Sequence, residues 1–230
     1  MHSPLVDRLE MLYRFSQSLG STLQLDILLN AVMDQVIRVT RAERGFLMLG
    51  GHVEDMTIRV ARGVNQTTIE APEFQVSRGV VQRVASEGKA VVTSDAQAEE
   101  WLAKRESVAS LGLRSIMCVP LQLRGRSIGL IYVDNRLQAA MFDHDDLDLL
   151  EAVANTAAVA IENARLHERE IERSRLEREL EVARQIQTSL MPRAAPRFPG
   201  FDIAGFWRWR ARWAATSMTS SPGPTAGWAS

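Results

Sequence analysis

The sequence has little of several features that define common protein classes. Its 230 residues include a single cysteine, Cys118, which excludes a disulfide framework and a cysteine-rich metal site. The longest apolar runs are far shorter than the roughly 20 residues of a membrane-spanning helix. The first residues lack the basic and apolar segments of a signal peptide. These absences predict a cytoplasmic protein.

Charge is nearly balanced, with 27 Lys and Arg against 28 Asp and Glu and a net charge of −1. No excess of either sign therefore favours nucleic acid or a membrane surface as a partner. The four histidines are scattered at positions 2, 52, 144 and 167, a spacing that forms no metal-ligand motif. We expect no metal site in this chain.

Acidic residues are absent from the end of the chain. Residues 203–230 contain no Asp or Glu but hold four of the five tryptophans, and they end in a stretch rich in Ser, Thr, Pro and Gly. This stretch has neither a helical nor a strand period. We expect the tail to be disordered, unlike the rest of the chain.

Apolar spacing elsewhere predicts an ordered domain. Residues 1–22 and 23–39 read as amphipathic helices, and several short alternating segments between 44 and 134 read as strands with helical insertions. A long helix begins at Asp143 or His144, and no proline interrupts it before Pro192. This order predicts an α+β fold in which a central antiparallel sheet carries terminal helices on one face, followed by a long connector helix that resembles a coiled coil.

The clearest hairpin joins residues 116–123 to residues 126–134 through the turn at Arg124 and Gly125. A two-residue loop would place residues 117, 119 and 121 opposite residues 132, 130 and 128. One face of the hairpin would then carry Ser115, Met117, Tyr132 and Asp134, and the other would carry Ile116, Cys118, Ile131 and Val133. The first face has polar atoms that suit a ligand pocket.

Several segments together resemble a GAF domain. The resemblance rests on residues 43–46, 80–91, 115–121, 128–135 and 142–164, and it assigns residues 23–164 to a GAF sensor domain. GAF domains share a frame but vary their pockets. The resemblance therefore implies a regulatory module with an unidentified ligand.

The GAF resemblance suggests a pocket, although the same side chains could fill a dry core. Trp101 could close over the hairpin face that carries the polar groups. The candidate pocket residues are Phe46, Met48, Trp101, Ser115, Met117, Tyr132 and Asp134.

Cyclic-nucleotide binding is a weaker alternative. Residues 135–147 match the signature of that class only in part, since Arg136 and Leu147 replace its Lys and Glu. Structural roles for Asn135 at a strand end and for Phe142 and Asp143 at a helix start explain the same residues. Tetrapyrrole attachment and sulfoxide reduction would need a suitably placed or additional cysteine, whereas mid-strand Cys118 reads as a buried structural thiol.

The long helix becomes densely charged after Ile161 but keeps a thin apolar line at approximately heptad spacing. Pairing with a second copy would bury that line, so residues 165–192 are predicted to be a coiled-coil connector in a parallel homodimer. A single solvated helix is the alternative. The predicted seam consists of Ile161, Leu166, Leu176, Leu180, Ala183 and Leu190.

Residues 180–205 resemble the entrance to a PPM-type serine/threonine phosphatase of the sporulation and sigma-factor-regulating kind. The matching positions include Glu181, Ala183, Arg184 and Met191-Pro192. The family would continue into a Gly-Gly-Asp-Phe/Tyr-Tyr-Asp motif whose first Asp helps to hold Mg²⁺ or Mn²⁺. Residues 213–220 do not contain that motif. Codons that encode these residues could, however, encode the motif if the reading frame were shifted by two bases. We therefore expect residues 193–230 to be a truncated entrance followed by a frameshifted tail.

These observations predict a bacterial signalling fragment that is not itself an enzyme. Its role would be to control a serine/threonine phosphatase in a partner-switching pathway, with a phosphoprotein and a small molecule as further partners. A residual phosphatase and a ligand-free dimerisation module are the alternatives. No catalytic residue, cofactor or metal ligand is predicted within this chain.

Overall fold

The computed structural model describes residue 17 and residues 24–64, 67–71, 76–103 and 106–190. It divides the chain into two units, one ending at Glu172 and one beginning at Arg173. None of the helices in this described part is long and apolar enough to cross a membrane. The predicted helix over residues 1–22, apart from Gln17, and the predicted tail over residues 193–230 lie outside the described residues.

Five helices and five strands make up the described regular structure, and a short 3-10 turn at Val53–Asp55 joins the first two strands. The helices are α1 Leu25–Thr40, α2 Arg78–Glu87, α3 Glu100–Ala103, α4 Glu106–Ser110 and α5 His144–Leu190. The strands are β1 Arg44–Leu49, β2 Thr57–Gly63, β3 Val91–Thr93, β4 Ser115–Leu123 and β5 Arg126–Asn135.

The strands form one five-stranded sheet in the order β2-β1-β5-β4-β3. Every pairing is antiparallel. Because β5 lies between β1 and β4, the last strand in sequence becomes the centre of the sheet. The central strand is therefore buried on both faces, and seven consecutive residues from Gly129 to Asn135 are buried.

Apolar residues of α1 and of the first part of α5 pack together on one face of the sheet. This confirms the predicted α+β architecture with terminal helices on one face. The opposite face is covered by apolar residues of α2 and of the segment between β3 and β4. The sheet thus lies between two separate cores, and each strand contributes alternate side chains to one or the other.

The predicted register of the β4–β5 hairpin is wrong by one residue. Cys118 lies opposite Tyr132, and Val119 lies opposite Ile131, because a bulge between Leu121 and Gln122 inserts an extra residue near the turn. A one-residue shift exchanges faces. Met117 therefore belongs to the helix-covered core with Ile131 and Val133, whereas Ile116 and Cys118 join Leu130 and Tyr132 on the other face.

The first part of α5 also differs from the prediction in one detail. Ile161 was predicted as a seam residue but is fully buried in the helix-covered core, whereas Val159, two residues before it, is 49% exposed. Two residues correspond to roughly 200° of helical rotation, so these side chains point in nearly opposite directions. Ile161 is thus unavailable to a second copy.

Candidate functional site

A buried ion pair lies on the sheet face that α2 and the β3–β4 segment cover. Arg44 is the first residue of β1, and its cross-strand partner on β5 is Asp134. Arg44 Nε donates to Asp134 Oδ1 at 2.8 Å, and Nη2 donates to Oδ2 at 2.7 Å. Only 5% and 0% of the two side chains is exposed. This two-bond geometry satisfies both charges in a place from which water is excluded.

Two hydroxyl groups extend this polar cluster. Tyr132 lies two residues before Asp134 on β5, close enough for the Asp134 charge to raise the pKa of its hydroxyl group. The backbone N–H of Ser77, at the start of α2, donates to the Tyr132 hydroxyl oxygen at 3.4 Å. The Ser77 hydroxyl is buried and has no hydrogen-bond partner among the described residues. We call Arg44, Ser77, Tyr132 and Asp134 the polar cluster.

Aromatic side chains flank the polar cluster. The Phe46 and Tyr132 rings meet edge to face with centroids 5.8 Å apart, an arrangement that aromatic pairs prefer. The Arg44 guanidinium carbon lies 5.6 Å from the centre of the Phe46 ring, within the range of a cation–π contact. The rings and the ion pair therefore hold one another in place.

Burial shapes the protonation of the polar cluster. It raises the pKa of Asp134, although hydrogen bonds from Arg44 and the charge of that guanidinium act in the opposite direction. It also raises the pKa of Tyr132 well above its ordinary value, and the nearby Asp134 charge adds to the effect. Tyr132 is therefore a neutral hydrogen-bonding group at physiological pH.

The structure brings together four of the predicted pocket residues, namely Phe46, Met48, Tyr132 and Asp134, on one sheet face. Met117 is on the other face because of the register shift. Ser115 is buried and donates its hydroxyl to the carbonyl of Thr93 at 3.0 Å. Sequence reasoning placed these two in the pocket through the wrong hairpin register.

Trp101 is partly buried at the border of the same core, and its polar contacts are with side chains outside that core. The Arg83 guanidinium carbon lies 4.5 Å from the centre of the indole ring, and the indole N–H donates to Glu99 Oε2 at 2.7 Å. Gly79, Gln82 and Arg83 of α2 and Trp101 line a surface groove of about 480 Å³. Trp101 thus joins the covering segment to α2.

Sequence reasoning missed Arg44 and Ser77 as parts of the site. An arginine at the start of an otherwise apolar strand was the available signal for Arg44, because a buried charge requires a partner. Nothing in the sequence pairs it with Asp134, 90 residues away. Ser77 holds the N-cap position of α2, although its hydroxyl makes no capping bond.

Residues 135–146 have structural roles that account for their partial likeness to a cyclic-nucleotide signature. Asn135 Oδ1 accepts hydrogen bonds from the backbone N–H groups of residues 137 and 138. Arg136 binds the carboxylate of Glu43 through its side chain and its backbone N–H. Asp143 and Asp146 accept from each other's backbone N–H. These bonds end β5 and begin α5.

Cys118 is fully buried in the middle of β4. Burial raises the pKa of its thiol strongly, so the reactive thiolate is disfavoured. Across residues 24–64, 67–71, 76–103 and 106–190, His, Cys, Asp and Glu form no group of three or more that could hold a metal ion. Thiol chemistry and metal chemistry therefore have no support in this part of the chain.

Exposed apolar side chains mark a second candidate site on α5. Val159 and Leu166 of the first unit are about half exposed, and in the second unit Leu180 is 62% and Leu190 is 78% exposed. Positions 159, 166 and 180 differ by multiples of seven, as do 176, 183 and 190. We call these residues the heptad set: Val159, Leu166, Leu176, Leu180, Ala183 and Leu190.

The sequence and the fold of this chain are similar to those of known proteins. The model of the GAF domain family matches residues 24–161. A probable 3′,5′-cyclic phosphodiesterase, pde-5, of Caenorhabditis elegans is 27% identical over 107 residues. That alignment covers 46% of this chain and only 15% of the phosphodiesterase.

Two solved structures have the same fold. The GAF domain of an Acinetobacter phosphoenolpyruvate-protein phosphotransferase is 18% identical with a TM-score of 0.55, and the match covers 72% of this chain and 97% of that domain. A free methionine-R-sulfoxide reductase of Neisseria meningitidis, solved with its substrate, is 20% identical with a TM-score of 0.56. That match covers 73% of this chain and 95% of the reductase.

Proposed function

The chain belongs to the GAF domain family, and from this premise we propose that it is the regulatory part of a bacterial signalling protein that acts as a parallel homodimer through α5. The sheet and its two cores form the sensor, and α5 connects the sensor to an output. The heptad set is the observation that carries this proposal.

Burial of the heptad set is the physical reason to expect a second copy. Large apolar side chains repeated at seven-residue spacing are left in water by a single chain, while pairing of two helices would bury them. The remaining core positions of the same repeat are polar or charged, namely Glu162, Arg169, Arg173 and Gln187, and the three charged ones precede Leu176. The strongest pairing is therefore expected from Leu176 to Leu190.

The charges beside the heptad set favour a parallel pair. Val159, Leu166 and Leu180 occupy the position of the heptad that is called a. In parallel helices, the residue that precedes position a faces the residue five places later on the partner helix. Arg165 would then face Glu170 of the second copy, and Glu179 would face Arg184, so both pairs attract. Glu172 and Glu177 would repel. On balance the pattern supports parallel, in-register pairing.

The polar cluster supports a sensing role for the sheet face opposite α1. It places hydroxyl groups and a paired charge inside an otherwise apolar core, at the base of α2, where a small molecule could be oriented. Phe46, Tyr132 and Asp134 have no exposed surface, so binding would have to move the covering segment. That movement would couple occupancy to structure.

Ligand binding at the polar cluster can be tested without knowing the ligand in advance. Native mass spectrometry of the purified chain is expected to show a bound small molecule, and Tyr132→Ala is expected to lose it while remaining folded. A ligand at about 100 times its dissociation constant adds about 2.7 kcal/mol to stability. If no compound changes melting and none co-purifies, the module acts through dimerisation alone.

The proposed output is a PPM-type serine/threonine phosphatase that acts on a phosphoprotein of a partner-switching pathway. Support comes from the likeness of residues 180–205 to the entrance of that family. The sequence after Asp202 contains no Asp or Glu, so this stretch offers no side-chain carboxylate to a Mg²⁺ or Mn²⁺ pair. We expect no turnover of a phosphorylated substrate by this chain with Mn²⁺.

Sulfoxide reduction is a poor alternative despite the likeness of fold to a reductase. The only cysteine is buried, and its pKa is raised by burial. A thiol that attacks a sulfoxide must be accessible and readily ionised. We therefore infer that this chain shares the fold of the reductase but not its thiol chemistry.

Light scattering coupled to size-exclusion chromatography tests the proposed dimer directly. The full chain at tens of micromolar is expected to elute with twice the chain mass. A monomer under these conditions would contradict the proposal. Circular dichroism of the same sample confirms that the helix and sheet content is intact.

A further inference from the structure

A groove beside the first part of α5 has the properties of a surface that meets a second copy of itself. Its volume is about 370 Å³, and it lies between the end of α2, strand β4 and α5. Lys89 lies on one wall of the groove, and Leu147, Glu151 and Asn155 lie on the other.

The α5 wall of this groove continues into the heptad set. Leu147, Glu151, Asn155 and Val159 are spaced by four residues, so they form one row on the helix surface. Glu151, Asn155 and Val159 are all exposed. A second copy that covers Val159 would therefore extend directly over the groove.

The charges of the groove are unpaired and opposite. Lys89 and Glu151 are both exposed, and within the described ranges neither has an ion-pair partner within 4.0 Å. A two-fold interface must be complementary to itself, because a residue that lies away from the two-fold axis meets a different residue of the other copy. One cation and one anion on the same patch meet that requirement.

We propose that this groove is part of the interface between two copies of the chain, and that Lys89 of each copy pairs with Glu151 of the other. This inference rests on the proposed dimer and adds a second region to it. The two ion pairs fix the relative position of the sensor domains, while the heptad set supplies apolar burial.

Charge exchange provides a test that separates this interface from a general effect of charge. Lys89→Glu alone would place four carboxylates at the two contacts, and Glu151→Lys alone would place four ammonium groups there. Each variant is expected to weaken dimerisation of the full chain about tenfold or more. An equimolar mixture of the two variants restores opposite charges at both contacts and is expected to return to dimers, as measured by sedimentation equilibrium.

Glu54→Lys on the turn between β1 and β2 is the control, since it changes an exposed carboxylate away from the groove. It is expected to leave dimerisation unchanged. If wild type is dimeric but the single variants pair as tightly, or the mixture stays dissociated, the groove is not at the interface. If wild type is monomeric, the proposed dimer itself is wrong.

Discussion

The two parts of α5 place apolar side chains in opposite environments. Between Leu149 and Ala164, eight side chains are buried, and seven of them belong to the core shared with α1 and the sheet. From Leu166 to Leu190, large apolar side chains are all about half exposed or more. The apolar side chains of the first part are buried within one chain, whereas the second part carries an apolar repeat that the single chain leaves exposed. The difference identifies which part stabilises the sensor and which part we propose as the dimer contact.

Ile161 and Val159 test this comparison most strongly. Ile161→Ala is expected to cost about 2–5 kcal/mol of unfolding free energy, because it opens a cavity in the core. Val159→Ala is expected to change stability by less than about 0.5 kcal/mol, since its side chain is half exposed. Urea unfolding at a concentration that keeps the chain monomeric measures both. Equal costs would show that the two positions do not differ in burial.

Leu176→Glu is expected to act on association and leave the sensor domain stable. It places two carboxylates in the apolar repeat of the dimer and should weaken pairing about a hundredfold, or about 3 kcal/mol. Sedimentation equilibrium measures the dissociation constant. Arg178→Glu, a charge change outside the repeat, is the control. A Leu176→Glu variant that pairs like wild type would remove the distinction between the two parts of α5.

Surface ion pairs should contribute less free energy to folding or dimerisation than either set of apolar side chains on α5. Burial raises the pKa of Glu43, but hydrogen bonds from Arg136 and its charge outweigh burial and leave the pKa below the ordinary 4.5. This pair therefore stabilises the fold above about pH 4.5 and loses its contribution as the pH falls further.

Glu43→Gln should lower stability at pH 7 by less than about 1 kcal/mol and reduce the loss between pH 4.5 and pH 3. Thermal melting of wild type and variant across this range measures the difference. A variant whose acid sensitivity matches that of wild type would show that the pair contributes nothing measurable.

The sequence was sufficient to predict most of the secondary structure, because apolar periodicity and turn residues are local. Strand β5 and the start of α5 were predicted within one residue. The hairpin register was not, since the bulge at Leu121 and Gln122 depends on how both strands pack and not on the turn alone. That single residue moved Met117 to the opposite core.

The site was less predictable than the fold. Tyr132 and Phe46 were identified as pocket candidates, and the structure places them in contact. Arg44 was not, because its pairing with Asp134 requires β5 to lie beside β1, and strand order is set by the whole sheet. Likewise, Val159 and Ile161 are both apolar and β-branched, so their residue types do not show which of the two is buried.

Cysteine cross-linking on α5 tests the central claim most directly. In a parallel, in-register dimer the two copies of residue 180 face each other, within the Cα separation of about 4.4–6.8 Å that a disulfide requires. Leu180→Cys is therefore expected to form a covalent dimer under mild oxidation, while Arg178→Cys on the outer surface is not. The buried native Cys118 provides no competing thiol. If Leu180→Cys remains monomeric on a non-reducing gel, or if both variants cross-link equally, α5 does not pair as proposed.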